Sequence, residues 1–334
     1  MAYEAWSKAK SVAVIVGINY VNQSSELAGC RNDAVNVYNV LVNNNLVAKE
    51  NVAFLVEGRS HKSFGTKLLP VARPTKANIL KALNWAVEVC KANPSIKHVL
   101  FHYSGHGTYV RHGEEFAEDA PNGVDPDNED DRRHEMLVPV DCDLEGCIVD
   151  DDLNRIFAKF PNLLKIRALV DACHSETVFD AKYRCELSGR GFRVNIENPE
   201  CQIGADLILL TGCKDTQTSA DAPVGQNDSY EGAMTNAFIK VVQQTKLDVS
   251  CYDLLKAMRA DLKANNFDQI PQLCSTTKLT VSTSFLGGVE RSKAKKRKAQ
   301  QLLDDQDQAS QASPEKQEAK ETQTKKARSQ RQAK

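Results

Sequence analysis

Short apolar runs rich in β-branched residues alternate with helical stripes along this chain. Val12–Gly17 (VAVIVG) is a continuous apolar run, and Val52–Val56, His98–Tyr103 (HVLFHY), Arg167–Asp171 (RALVD) and Leu207–Thr211 (LILLT) are mostly apolar segments. That is the pattern of strands covered on both faces, as in a parallel sheet. Between them, Asp33–Val42, Pro74 to Ala92, Asp152–Phe160, Ala233–Gln244 and Tyr252–Ala264 repeat apolar residues every three or four positions, as amphipathic helices do. Gln272–Cys274 reads as a last strand. The alternation predicts an α/β fold: a three-layer sandwich with a mostly parallel central sheet and helices on both faces.

Two stretches interrupt the pattern. Glu114–Arg133 holds nine acidic residues and two prolines without a helical stripe, and is expected to be a loop. Lys182–Gly204 is long and mixed, and is expected to be irregular. After Gly288 the apolar content falls away. Lys293–Lys334, rich in Lys, Gln, Ala, Ser and Glu, reads as a disordered or weakly helical tail. The division is therefore a body, residues 1–290, and a tail, 291–334.

Charge follows the same division. The formal net charge of −1 combines a tail carrying 13 Lys/Arg against 6 Asp/Glu with a body at −8. The tail's clusters, Lys293, Lys295–Lys298 and Lys325–Arg331, suit a solvated tail or a nuclear-import signal. They lack the aromatic residues that stack on bases, so a nucleic-acid partner is not expected. No apolar stretch reaches the roughly 18–20 residues of a membrane span, and Met1–Ser11 has no signal-peptide core. A cytoplasmic protein, with nuclear entry through the tail as an option, is the expectation. The ten cysteines show no C-x-x-C pair, so free thiols in a reducing compartment are expected.

Chemistry in open parallel sheets collects beyond the carboxyl ends of strands. The third strand runs into His102-Tyr-Ser104-Gly-His106-Gly107, the fourth into Asp171-Ala-Cys173-His174-Ser175, and the first leads to Cys30-Arg-Asn-Asp33. A thiol and an imidazole on neighbouring strand ends can meet although 67 residues separate Cys173 from His106. The imidazole raises the thiolate fraction and later protonates a leaving amine. Gly105 and Gly107 let the backbone pass close to a substrate carbonyl and offer an N–H to an oxyanion. The competing readings are a buried packing cysteine and a zinc site. The second lacks C-x-x-C or H-E-x-x-H spacing, and His102 lies inside the strand.

With those segments in view, the chain resembles the metacaspases of the caspase-like clan of cysteine peptidases. The matching segments are VAVIVGINY (Val12–Tyr20), ELAGCRNDA (Glu26–Ala34), HVLFHYSGHGT (His98–Thr108), EMLVPVD (Glu135–Asp141), GCIVDDDLNRI (Gly146–Ile156), VDACHS (Val170–Ser175) and LLTGCKDTQTSAD (Leu209–Asp221). The resemblance implies a caspase-like catalytic domain over 1–290. Within it, residues 1–181 are large-subunit-like, 182–204 form a linker and 205–290 are small-subunit-like, in a single chain without an N-terminal prodomain. The resemblance also implies His106 as general base and acid, Cys173 as nucleophile, and the Gly107 and Cys173 N–H groups as oxyanion donors. It places Asp33, Asp171 and Ser104 at the pocket for the side chain preceding the scissile bond. Paired carboxylates there favour Arg or Lys. Asp33 is also compatible with a helix N-cap. Asp150, Asp151 and Asp180 match calcium-binding positions, and hard carboxylate oxygens suit Ca2+. They equally suit an acid-rich helix start.

Departures accompany the match. Ala172 and Glu176 replace the usual Ser and Gly around the nucleophile, and His134 stands where the family has a fourth acidic ligand. Asp130 or Asp131 could substitute for it. Lys182, Arg184, Arg190 and Arg193 are candidate self-cleavage positions. The expectation is a calcium-stimulated cysteine endopeptidase cutting protein or peptide substrates after Arg or Lys, acting as a monomer, with no organic cofactor and no membrane partner. The alternative is a catalytically impaired scaffold or regulator that kept the fold.

Overall fold

A computed structural model describes residues 6–57, 72–111, 133–173, 178–212, 221–224 and 229–286, all within one compact unit, Met1–Glu290. The acidic stretch from Glu114 to Arg132, His174, Ser175, Glu176 and the basic tail lie outside the described residues.

The apolar runs form β1 (Ser11–Gly17), β2 (Val52–Val56), β3 (His98–Ser104), β7 (Lys165–Asp171), β10 (Asp206–Thr211) and β13 (Gln272–Ser275). The helical stripes form α1 (Cys30–Asn43), α2 (Lys76–Ala92), α4 (Asp150–Phe157), α5 (Ala233–Gln244) and α6 (Cys251–Ala264). Thr75 caps α2 by accepting from the Asn78 N–H, and Ser250 caps α6 by accepting from the Asp253 N–H. Further elements are β4 (Gly107–Arg111), β5 (Arg133–Leu137), the short α3 (Cys142–Glu145), β6 (Ile148–Val149), β8 (Tyr183–Ser188), β9 (Gly191–Ile196), β11 (Asp221–Val224) and β12 (Ser229–Gly232).

The central sheet has the order β2-β1-β3-β7-β10-β13-β8-β9. The first five strands in that order are mutually parallel, and β13, β8 and β9 continue antiparallel. On one face, Val14, Val16, Phe101, Ala168 and Leu209 of the sheet pack with Ile79, Leu83 and Val87 of α2 and Leu153 and Phe157 of α4. The rings of Phe101, Phe157 and Phe179 meet edge-on there. On the opposite face α1 lies against β1 and β3, and α5 packs between α1 and α6. The fold is the expected three-layer α/β sandwich.

Two expectations are corrected. Residues 182–204 are not irregular: β8 and β9 form a hairpin, turning at Gly189 (φ +55°) and Arg190, and β8 joins the central sheet beside β13. Nor are all the cysteines free. Cys142 and Cys147 are disulfide-bonded, with Cα atoms 5.1 Å apart. The α3 turn and Gly146, at φ +71°, fold the chain back far enough to bring them together.

Candidate active site

Three parallel strands end side by side. Gly17 is in register with Ser104, and Ser104 with Asp171, so the segments after β1, β3 and β7 leave the sheet at one level. His106 lies two residues past Ser104, and Cys173 two past Asp171. The Gly105 N–H donates to the Asp171 carbonyl at 3.2 Å. A Cβ on Gly107 would run into the Cys173 carbonyl oxygen. Gly107 is therefore required for the backbones of the two segments to touch. A Cβ on Gly105 would lie 2.9 Å from the hydroxyls of both Tyr20 and Tyr103. The room both glycines leave is thus filled by protein atoms, where the sequence suggested a substrate carbonyl.

The His106 ring is oriented by its own chemistry. Nε2 lies 2.7 Å from the Ser25 carbonyl oxygen. A carbonyl can only accept, so Nε2 carries the proton and Nδ1 is the nitrogen left to take one up. Cys173 is half-buried, whereas Cys30, Cys90, Cys185, Cys251 and Cys274 are buried. Burial pushes the thiols of Cys90 and Cys251 up to about 12, which keeps them protonated and inert. His102 is fully buried inside β3, with Nδ1 3.1 Å from the Leu169 carbonyl, and burial lowers it to about 3. It is a neutral core residue, set apart from the His106 segment.

Beside this pair lie two carboxylates. Gly17 lets α1 start directly on the end of β1, since a Cβ there would meet the Cys30 carbonyl and Ala34. The N-cap of α1 is Gly29, so Asp33 sits in the first turn rather than at the cap. Ser104 Oγ donates to Asp33 Oδ2 at 2.6 Å. The Gly232 N–H donates to both Asp33 oxygens, at 2.9 and 3.0 Å. The Thr235 N–H and hydroxyl both donate to Asp171 Oδ2, at 2.9 and 2.8 Å. Asp33 is 1% and Asp171 3% exposed. The free N–H groups at the start of α5 thus face both acids, as a helix N-terminus favours. Burial, and then the Asp171 charge, hold Asp33 well above the usual carboxylate range, against the hydrogen bonds from Ser104 and Gly232.

Ser25, Gly232 and Thr235 do not stand out in the sequence. Their only trace is a G-x-x-T run opening the helical stripe at Ala233.

Asp150, one of the three carboxylates expected to bind calcium, meets an imidazole. His134 Nδ1 lies 3.7 Å from Asp150 Oδ1. The contact with Asp150, with smaller contributions from Asp151 and Asp180, raises His134 above its ordinary value. Asp150 accepts the N–H groups of Glu135 and Asp151, at 3.0 and 2.7 Å. Asn154 Nδ2 donates to Asp180 Oδ2 at 3.3 Å. Among the described residues no group of three or more His, Cys, Asp or Glu side chains is arranged to hold a metal ion. The donor chemistry suits a hard cation.

A profile of the metacaspase, peptidase C14 domain matches residues 11–182, more than half of the chain. The chain belongs to the metacaspase family. Metacaspase-1 of Arabidopsis thaliana is 33% identical over 263 residues, covering 77% of this chain and 65% of the relative. Metacaspase-2 of the same plant is 35% identical over 255 residues, covering 74% of this chain and 55% of the relative. Metacaspase-1 of Saccharomyces cerevisiae is 30% identical, covering 82% and 68%. This metacaspase chain thus spans between about half and two-thirds of the length of those relatives. Among solved structures, caspase-1 from Spodoptera frugiperda matches with a TM-score of 0.50 at 14% identity, covering 87% of this chain and 95% of that one. The likeness is one of fold. No helix among the described residues is long and apolar enough to cross a membrane.

Proposed function

We propose that the chain is a cysteine endopeptidase that cleaves peptide bonds after Arg or Lys. The observation that supports it most is the close approach of Gly107, next to His106, to the Cys173 backbone beside the buried pair Asp33 and Asp171. His106 Nδ1 takes the Cys173 thiol proton, and the thiolate attacks the scissile carbonyl carbon. The Gly107 and Cys173 N–H groups donate to the resulting oxyanion. The proton then passes from His106 to the leaving amine, the C–N bond breaks, and a thioester remains. Water, deprotonated by His106, hydrolyses the thioester and restores the thiol.

Two buried carboxylates set the side-chain preference in this reading, and the raised proton affinity of Asp33 reflects two acids held close together away from water. A guanidinium or ammonium beside them is charge-matched, whereas an Asp side chain would add a further negative charge. Calcium stimulation belongs to the same proposal. It rests on the residue chemistry of Asp150, Asp151 and Asp180 alone, and no catalytic step runs through the ion.

The test is hydrolysis of matched fluorogenic peptides ending in Arg, Lys or Asp by reduced protein, with and without calcium. Turnover of the Arg and Lys peptides, absent in Cys173→Ala, is expected. Lack of turnover with Cys173 demonstrably reduced would return the chain to the scaffold alternative that Ala172, Glu176 and His134 motivate.

A further inference from the structure

Tyr20 occupies a backbone conformation that bulky side chains rarely adopt, at φ +54°. The Glu57 carboxylate, at the end of β2 and 9% exposed, accepts the N–H of Tyr20 through Oε2 and of Val21 through Oε1. Strain of this kind persists only where the surroundings over-determine it, and it gathers at functional sites. What the strained residue reaches is His106. The His106 N–H donates to Tyr20 Oη at 2.8 Å, and the two rings pack with centroids 4.6 Å apart. Tyr20 Oη in turn donates to the Val138 carbonyl at 2.7 Å.

Tyr103 completes the arrangement from the other side. Its hydroxyl donates to the His106 carbonyl at 2.8 Å and accepts the Val138 N–H at 3.2 Å. The direct bond from the Val138 N–H to the His106 carbonyl, 3.1 Å, lies between them. Tyr103 Oη also lies 2.9 Å from the Val138 carbonyl and 3.2 Å from Tyr20 Oη. Each hydroxyl has one proton to give, and one arrangement serves every group: His106 N–H to Tyr20 to Val138 carbonyl, and Val138 N–H to Tyr103 to His106 carbonyl. Both polar groups of the His106 backbone are thus held through tyrosine hydroxyls, and its ring lies on Tyr20.

We propose that Tyr20, locked in its left-handed conformation by Glu57, is the positioning residue that sets the His106 imidazole against Cys173. The proposal rests on the peptidase reading of the site. It differs from a packing role in its consequence. A misplaced imidazole lowers the rate of the chemical step while the substrate pocket at Asp33 and Asp171 is untouched.

Tyr20→Phe keeps the ring and removes the hydroxyl; Tyr20→Leu removes both; Glu57→Gln weakens the lock. The readout is kcat per titrated active site, so that any unfolded fraction does not count. A fall of about tenfold in Tyr20→Phe and a larger one in Tyr20→Leu is expected, with KM within about twofold of wild type. Glu57→Gln is expected to fall in the same direction. Unchanged kcat per site in both Tyr20 variants, or a change confined to KM, overturns the proposal.

A second measurement separates this from failure of the peptidase reading. The rate of Cys173 alkylation by iodoacetamide, followed by mass mapping of the Cys173 peptide, needs no substrate. His106→Ala and Tyr20→Leu are both expected to slow it. Slowing in His106→Ala without slowing in Tyr20→Leu overturns the positioning role even if no peptide is cleaved. Insensitivity to His106→Ala overturns it as well.

Discussion

Asp33 shows how a single buried side chain can carry both specificity and pH dependence. Its raised affinity for a proton comes from burial and from Asp171. A basic substrate side chain favours the charged form of Asp33, so its binding competes with the proton. KM for an Arg-ended peptide is therefore expected to fall as pH rises from the ordinary carboxylate range through the raised value of Asp33. Asp33→Asn is expected to raise KM and flatten that dependence; steady-state kinetics across pH would check both. Thr235 gives two hydrogen bonds to one oxygen of Asp171. Thr235→Val removes the hydroxyl donor and should cost about 2 kcal/mol of stability, read by denaturant unfolding. Gly105→Ala places a methyl against the Tyr20 and Tyr103 hydroxyls, and about a tenfold loss of kcat with little change in KM is expected. His106, Cys173, Asp33 and Asp171 are legible in the sequence because each follows or faces a strand end in a distinctive run. Thr235 and Ser25 are not, because they act through a backbone carbonyl, a helix start and an ordinary hydroxyl, none of which leaves a pattern in sequence.

At the level of elements, mostly apolar runs identify their strands because a parallel strand covered on both faces has few polar positions to confuse the pattern. The hairpin of β8 and β9 escapes for the opposite reason. Tyr183, Cys185 and Leu187 alternate with Arg184 and Glu186, and over so short a segment that period of two resembles a mixed loop. The hairpin also bears on self-cleavage. Arg184 lies on a strand bonded on both sides, to β13 and β9, whereas Arg190 sits exposed in the turn. Peptidases need an extended segment free of other pairing, so N-terminal sequencing of incubated protein is expected to show no cut after Arg184 while the sheet is intact. Any cut within the hairpin is expected after Arg190. The Cys142–Cys147 bond is hidden because a four-residue gap fits no standard thiol spacing, and only the α3 turn closes it.

Across the whole molecule, two buried groups pull stability in opposite directions with pH. His102 titrates near 6.5 when exposed and near 3 inside β3. Between those values the unfolded chain binds the extra proton, so stability falls as pH drops below 6.5, by up to about 5 kcal/mol at the limit. Asp33 acts on the other side: the folded chain holds its proton longer, so stability falls as pH rises through the window above the ordinary carboxylate value. His102→Gln is expected to flatten the acid limb of melting temperature against pH and leave the other limb in place. All of this surrounds one architectural fact, that adjacent parallel strands deliver an imidazole and a thiol to the same edge beside two acids. Labelling with a peptidyl chloromethyl ketone ending in Arg tests that fact most directly. One adduct is expected, on Cys173, lost in His106→Ala and not formed by the matching Asp-ended reagent. No adduct on reduced protein, an adduct on another cysteine, or equal labelling by the Asp-ended reagent would contradict it.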